Sequence, residues 1–130
     1  MSSQGEPKIM GMRILVLEDD FLLAWDAETA LRDAGAEVVG PFAEEAFAIE
    51  AIRQGNLSAA VVDINLGRGP SYETARNLTE AHVPFAFLTG YDQRTIPAEF
   101  ADIPRLEKPI DSKRIVSELA RITGASAKRL

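Results

Sequence analysis

Residues 59–67 read AAVVDINLG, an apolar run that stops on one carboxylate, Asp63, and then enters a polar, glycine-containing stretch. A short apolar run bounded in this way is the pattern of a strand buried on both faces, as in a parallel sheet. Asp63 would then stand where a buried strand leaves its sheet.

The same form recurs on either side. RILVL at residues 13–17 stops at the acidic triplet Glu18, Asp19 and Asp20. A helix follows over residues 21–34, with Leu23, Ala27, Ala30, Leu31 and Ala34 on one face and Gly35 as its stop. Residues 37–41 read as a strand, and 43–54 as a helix closed by Gly55. Beyond Asp63, a glycine-rich loop leads to a helix over 71–81 and a strand over 84–88. The pattern weakens at 92–100, where Pro97 interrupts it and predicts a short or irregular fourth helix. Residues 103–107 form a fifth strand, and Asp111 caps a last helix carrying Ile115, Leu119 and Ile122 at helical spacing. Residues 1–12 are expected to be a flexible leader, 13–123 the folded domain and 124–130 a frayed tail.

Five strands alternating with five helices predict an α/β, doubly wound domain with a parallel sheet covered on both faces. In such sheets the ligand site lies outside the carboxyl ends of the strands, where strand order reverses.

Composition narrows the function. A chain of 130 residues, 46% hydrophobic and 26% charged, is the size and balance of one globular domain. Its net charge of −6 disfavours a nucleic-acid footprint and favours a basic partner or a bound cation. Cysteine is absent and His82 is the single histidine, which excludes disulfides, thiolate or multi-histidine metal sites and a cysteine nucleophile. The apolar runs fall far short of the roughly 20 residues that span a bilayer, and no signal peptide is evident, so membrane insertion is not expected and a cytoplasmic location is.

The strand ends carry the chemistry. Glu18, Asp19 and Asp20 follow the first strand, Asp63 ends the third, Thr89 follows the fourth, and Lys108 follows the fifth. Carboxylates crowded at one edge are held ionised most simply by a hard divalent cation with oxygen ligands, and Mg²⁺ is the economical choice. A carboxylate beside such a metal can attack a phosphoryl group, with Lys108 and Thr89 placed to meet the transferred oxygens. Asp63, central among these ends, is the expected nucleophile.

ILVLEDD, VVDINLG, FLTG and LEKP, in this order and spacing, resemble the receiver domain of two-component response regulators over about residues 12–123. The resemblance implies a flavodoxin-like fold with strand order 2-1-3-4-5. It makes Asp63 the phosphoacceptor, Asp19 a direct metal ligand, Glu18 a ligand through water and the Asn65 backbone carbonyl a further ligand. Thr89 becomes the switch hydroxyl and Lys108 the phosphate-pairing cation, before a cis bond to Pro109. Asp20 is either a further metal-site residue or the cap of the first helix. The implied partners are a histidine kinase or phosphotransfer protein and an output protein, with a homodimer open. Residues 124–130 leave no room for an output domain, so the readout is expected by protein contact, unless the chain is a phosphate sink or part of a longer protein.

Three features depart from the family pattern. Arg105 stands where an aromatic residue is usual, NLGRGPSYE replaces the common loop after the phosphoacceptor, and FLTGY resembles a stand-alone subgroup with a Phe-x-Thr-Gly motif in which Tyr91 would share the aromatic role. Two other classes compete: a pseudo-receiver that only binds, and an aspartyl-nucleophile phosphohydrolase, against which Asn65 stands where the haloacid-dehalogenase type has a second Asp. His82 is expected in the last turn of a helix, and Trp25 and Tyr72 as packing residues, with Trp25 also open as part of a partner surface.

Overall fold

A computed structural model describes residues 9–66, 70–90 and 96–124. The elements run β1 (Arg13–Leu17), α1 (Phe21–Asp33), β2 (Glu37–Phe42), α2 (Glu45–Gln54), β3 (Ala59–Asp63), α3 (Glu73–Glu80), β4 (Phe85–Thr89), a 3-10 turn (Ala98–Phe100), β5 (Arg105–Glu107) and α4 (Ser112–Ile122). All strand pairs are parallel, in the order β2-β1-β3-β4-β5. β3 is therefore central, with Leu17 beside Val62 on one side and Asp63 beside Leu88 on the other.

Alternation along the strands builds two cores. Ile14, Val16, Val61, Ala86 and Leu88 face Ala27 and Leu31 of α1 and Ile115 and Leu119 of α4. Leu15, Leu17, Ala60, Val62, Phe85 and Phe87 face Ala48 and Ile52 of α2, Ala75 and Leu78 of α3, and Phe100. Both faces being covered, the strands read as continuous apolar runs and not as alternating ones.

Between β4 and β5 the described residues form one 3-10 turn, the short irregular element that Pro97 predicts, where Phe100 stacks on Tyr72 at 5.7 Å and meets Phe85 and Phe87 edge-on. The structure corrects two expectations. The leader does not extend to residue 12. Ile9 is fully buried against α1 and the sheet, Gly11 N–H donates to the Gly35 carbonyl, and Met12 accepts from Glu37 N–H. His82 lies beyond α3 at φ 60°, its N–H donating to the Thr79 carbonyl, so it closes the helix from a left-handed position instead of sitting in its last turn. Trp25 is 58% exposed, with its ring 6.3 Å from that of Phe21.

β2 bulges opposite β1, where the register slips between Leu15 and Leu17. Gly40 permits this at φ 104°, since a Cβ there would lie 2.8 Å from Phe42 N and 3.1 Å from the Val16 carbonyl oxygen. Beyond the bulge, the Phe42 carbonyl accepts from Glu18 N–H, which ties the edge strand to the acidic triplet.

Candidate functional site

Parallel strands put their carboxyl ends on one edge, and strand order decides which side chains meet there. Asp63 ends β3 between the ends of β1 and β4, and is 4% exposed. Its Oδ1 accepts from Asn65 N–H at 3.0 Å, and its Oδ2 lies 3.0 Å from Lys108 Nζ. Lys108 starts from β5, two strands away, and its long stem reaches across β4 to make this contact. Its backbone N–H donates to the Thr89 carbonyl, and its bond to Pro109 is cis.

Glu18 is buried to 2% exposure. Its Oε2 accepts from Asp20 N–H at 2.8 Å, while its Oε1 lies 2.9 Å from Lys108 Nζ as an ion pair without hydrogen-bond geometry. Burial pushes the Glu18 carboxyl up from 4.5 to about 7, aided by the Asp63 charge, against the lowering contributions of Asp20 N–H and Lys108. Burial alone would lower the Lys108 pKa, but the hydrogen bond to Asp63 and the carboxylate charges of Glu18 and Asp63 outweigh it and raise the value.

Glu18, Asp19 and Asp63 each offer a carboxylate oxygen within 4.8 Å of the others, and Asp19 is exposed. Such an all-oxygen set, with the buried Oε1 of Glu18 lacking a hydrogen-bond donor, fits a hard divalent cation better than a soft one. Asp20 falls outside the cluster; its side chain accepts from Leu23 N–H at 3.1 Å and caps α1. Asp20 thus takes the capping role, one of the two that the sequence left open. Beside the carboxylates, a cavity of about 210 Å³ is lined by Asp63, Ile64, Asn65, Leu88, Thr89, Gly90 and Lys108. Thr89 is buried to 5% exposure at its wall.

No family model matches the chain, and no curated protein does. Solved structures do. The beryllofluoride-activated conformation of SdrG from Pseudomonas melonis Fr1 is 32% identical, with a TM-score of 0.72 over 85% of this chain and 95% of that one. A response regulator receiver protein from Sinorhizobium medicae is 28% identical, with a TM-score of 0.68 over 87% of this chain and 97% of that one. The chain belongs to the response regulator receiver domains. Its role is accordingly in two-component signalling. This receiver also shares its fold with the receiver domain of the sensor histidine kinase PA1611 from Pseudomonas aeruginosa, at 23% identity and a TM-score of 0.75 over 88% of this chain and 98% of that one. That structure carries a magnesium ion coordinated in its active-site cleft.

In this receiver the strand-end residues Glu18, Asp19, Asp63 and Lys108 come together, with Asn65 and Thr89 on the adjoining cavity. Arg105 is exposed at the start of β5, and Tyr72 packs against Phe87 and Phe100. Tyr91 and residues 67–69 lie outside the described residues. Sequence reasoning missed Glu45. Its carboxylate accepts from Ser71 Oγ at 2.8 and 2.9 Å, from Thr74 N–H at 3.1 Å and from Thr74 Oγ1 at 2.8 Å. The one local signal was Ser71 itself, a cap-type residue ahead of α3; nothing near it in sequence points to an acceptor on α2. No helix among the described residues is long and apolar enough to cross a membrane.

Proposed function

We propose that this receiver is a phosphorylation switch that takes a phosphoryl group on Asp63 from the phosphohistidine of a histidine kinase or phosphotransfer protein, and relays its state by contact with an output protein in the cytoplasm. The observation that carries this reading is Asp63 held at the end of the central strand between Lys108 and the Glu18–Asp19 carboxylates.

Asp19, Asp63 and the Asn65 carbonyl would hold Mg²⁺, with Glu18 acting through water. A cation held there would neutralise charge on the transferring phosphoryl oxygens. As the donor's N–P bond breaks, an Asp63 oxygen forms the new O–P bond and the electron pair returns to the imidazole nitrogen. Lys108 exchanges its pairing with Asp63 for the phosphoryl oxygens, which keeps a cation against the developing charge. Thr89, at the cavity wall, donates its hydroxyl to the bound phosphoryl group. The acyl phosphate then biases a conformational equilibrium to the extent that these groups hold it differently in the two states.

Incubation with acetyl phosphate or beryllofluoride and Mg²⁺ tests the reading. A stable adduct on the wild type that is lost in Asp63→Asn supports the switch. No adduct supports a pseudo-receiver, and sustained turnover of acetyl phosphate supports a phosphohydrolase.

A further inference from the structure

We propose that Glu45 is a positioning residue for the phosphoacceptor loop: it anchors the far end of the segment whose near end carries Asn65, and so sets the geometry of the metal site from a different helix. The proposal rests on the reading of Asn65 as a metal-binding carbonyl.

The segment after β3 is closed at its base. Ser71 N–H donates to the Ile64 carbonyl at 2.9 Å, Asn65 bridges to Pro70, and Asn65 N–H donates to Asp63 Oδ1. Glu45 ties the Ser71 side of this base to α2. The carboxylate engages the hydroxyl of Ser71 with both oxygens and takes two further bonds from Thr74, a residue 2% exposed in the first turn of α3. Tyr72 at the cap position makes no side-chain cap bond, and Ser71 Oγ itself accepts from Glu73 N–H at 3.5 Å. Charge-assisted bonds from a carboxylate to a hydroxyl and a helix N–H are the strong class, and they cross 26 to 29 residues of chain. α2 is itself packed on β1 and β2, and β1 leads directly into Glu18 and Asp19. One side chain thereby couples the element behind the acidic triplet to the loop that bears Asn65.

A residue acting on a metal through its ligands' orientation is expected to change affinity by roughly tenfold or more when removed. The test is a Mg²⁺ titration of the full chain followed at the Asn65 amide by NMR, alongside thermal unfolding. Glu45→Ala is expected to bind Mg²⁺ about tenfold more weakly. Glu45→Gln should restore most of that affinity, because an amide can accept from Thr74 and donate to Ser71 in the same place. Ser71→Ala, which cuts the tether but leaves the Thr74 cap, should weaken Mg²⁺ while barely moving the melting temperature.

Two results would overturn the proposal. One is Mg²⁺ affinity in Ser71→Ala and Glu45→Ala equal to wild type at a temperature where all are folded, which leaves Glu45 as a helix cap alone. The other is equal loss in Glu45→Gln and Glu45→Ala, which assigns the effect to the charge of Glu45 and not to its tether. A wild-type chain that takes up neither Mg²⁺ nor beryllofluoride removes the proposed function and this role with it, whereas wild-type binding with unaffected variants removes this role alone.

Discussion

Nζ of Lys108 lies 3.0 Å from Oδ2 of Asp63, a contact between residues 45 positions apart whose strands are not neighbours in the sheet. The same ammonium stands 2.9 Å from Glu18 Oε1, so one cation serves two buried carboxylates. Removing it leaves both with backbone N–H donors but no cation.

Lys108→Met is therefore expected to cost about 3 kcal/mol of metal-free stability at pH 8, the scale for breaking a buried ion pair by deleting one partner. The loss should be smaller at pH 6, where Glu18 can take a proton. Mg²⁺ should recover part of it. Urea unfolding in chelator at both pH values, with and without the metal, checks each step.

The Glu18 carboxyl titrates at about 7 in the folded chain and at about 4.5 when unfolded. Between these values the folded state holds a proton that the unfolded state has lost, so this group's contribution to stability is full below about 4.5 and disappears as pH rises through about 7. Mg²⁺ favours the ionised carboxylate, and its affinity should rise over the same interval. Melting temperatures that climb with pH across this window in chelator would contradict the assignment.

Asp20→Ala should behave as the loss of a helix cap, costing about 1 kcal/mol. Its effect on Mg²⁺ affinity should be small beside that of Asp19→Ala, because Asp20 points its carboxylate at Leu23 N–H and lies outside the metal cluster. Parallel calorimetric melts and Mg²⁺ titrations of the two variants separate a cap from a ligand.

Phe100 closes the 3-10 turn before β5, and its ring meets Tyr72, Phe85 and Phe87. Phe100→Ala should cost about 3–5 kcal/mol by opening a cavity among them. Hydrogen exchange at Ala101 and Ile103, whose N–H groups donate to the carbonyls of Ala98 and Phe100, should accelerate more than exchange in β3.

Much of this architecture is local information. Apolar runs ending at Leu17, Asp63 and Thr89, glycines at 35 and 55, and the cap at Asp111 mark where strands and helices start and stop. Those boundaries already place Glu18, Asp19, Asp63, Thr89 and Lys108 at strand ends, since burial and backbone conformation are written in residues adjacent along the chain. Gly40 at its bulge, Ile9 in the core and the ring partners of Phe100 gave no such signal, because each depends on what lies opposite in space.

The partners were decided by packing alone. Whether Lys108 reaches Asp63 across β4 and whether Glu45 finds Ser71 are questions of a few ångströms between elements far apart in the chain. A residue type states which bonds a side chain can make; the folded sheet and the helices laid on it bring one donor and one acceptor within 3 Å. The sequence AAVVDINLG thus presents a carboxylate at a strand end, and the tertiary structure surrounds it with Lys108, Glu18 and a loop anchored from α2.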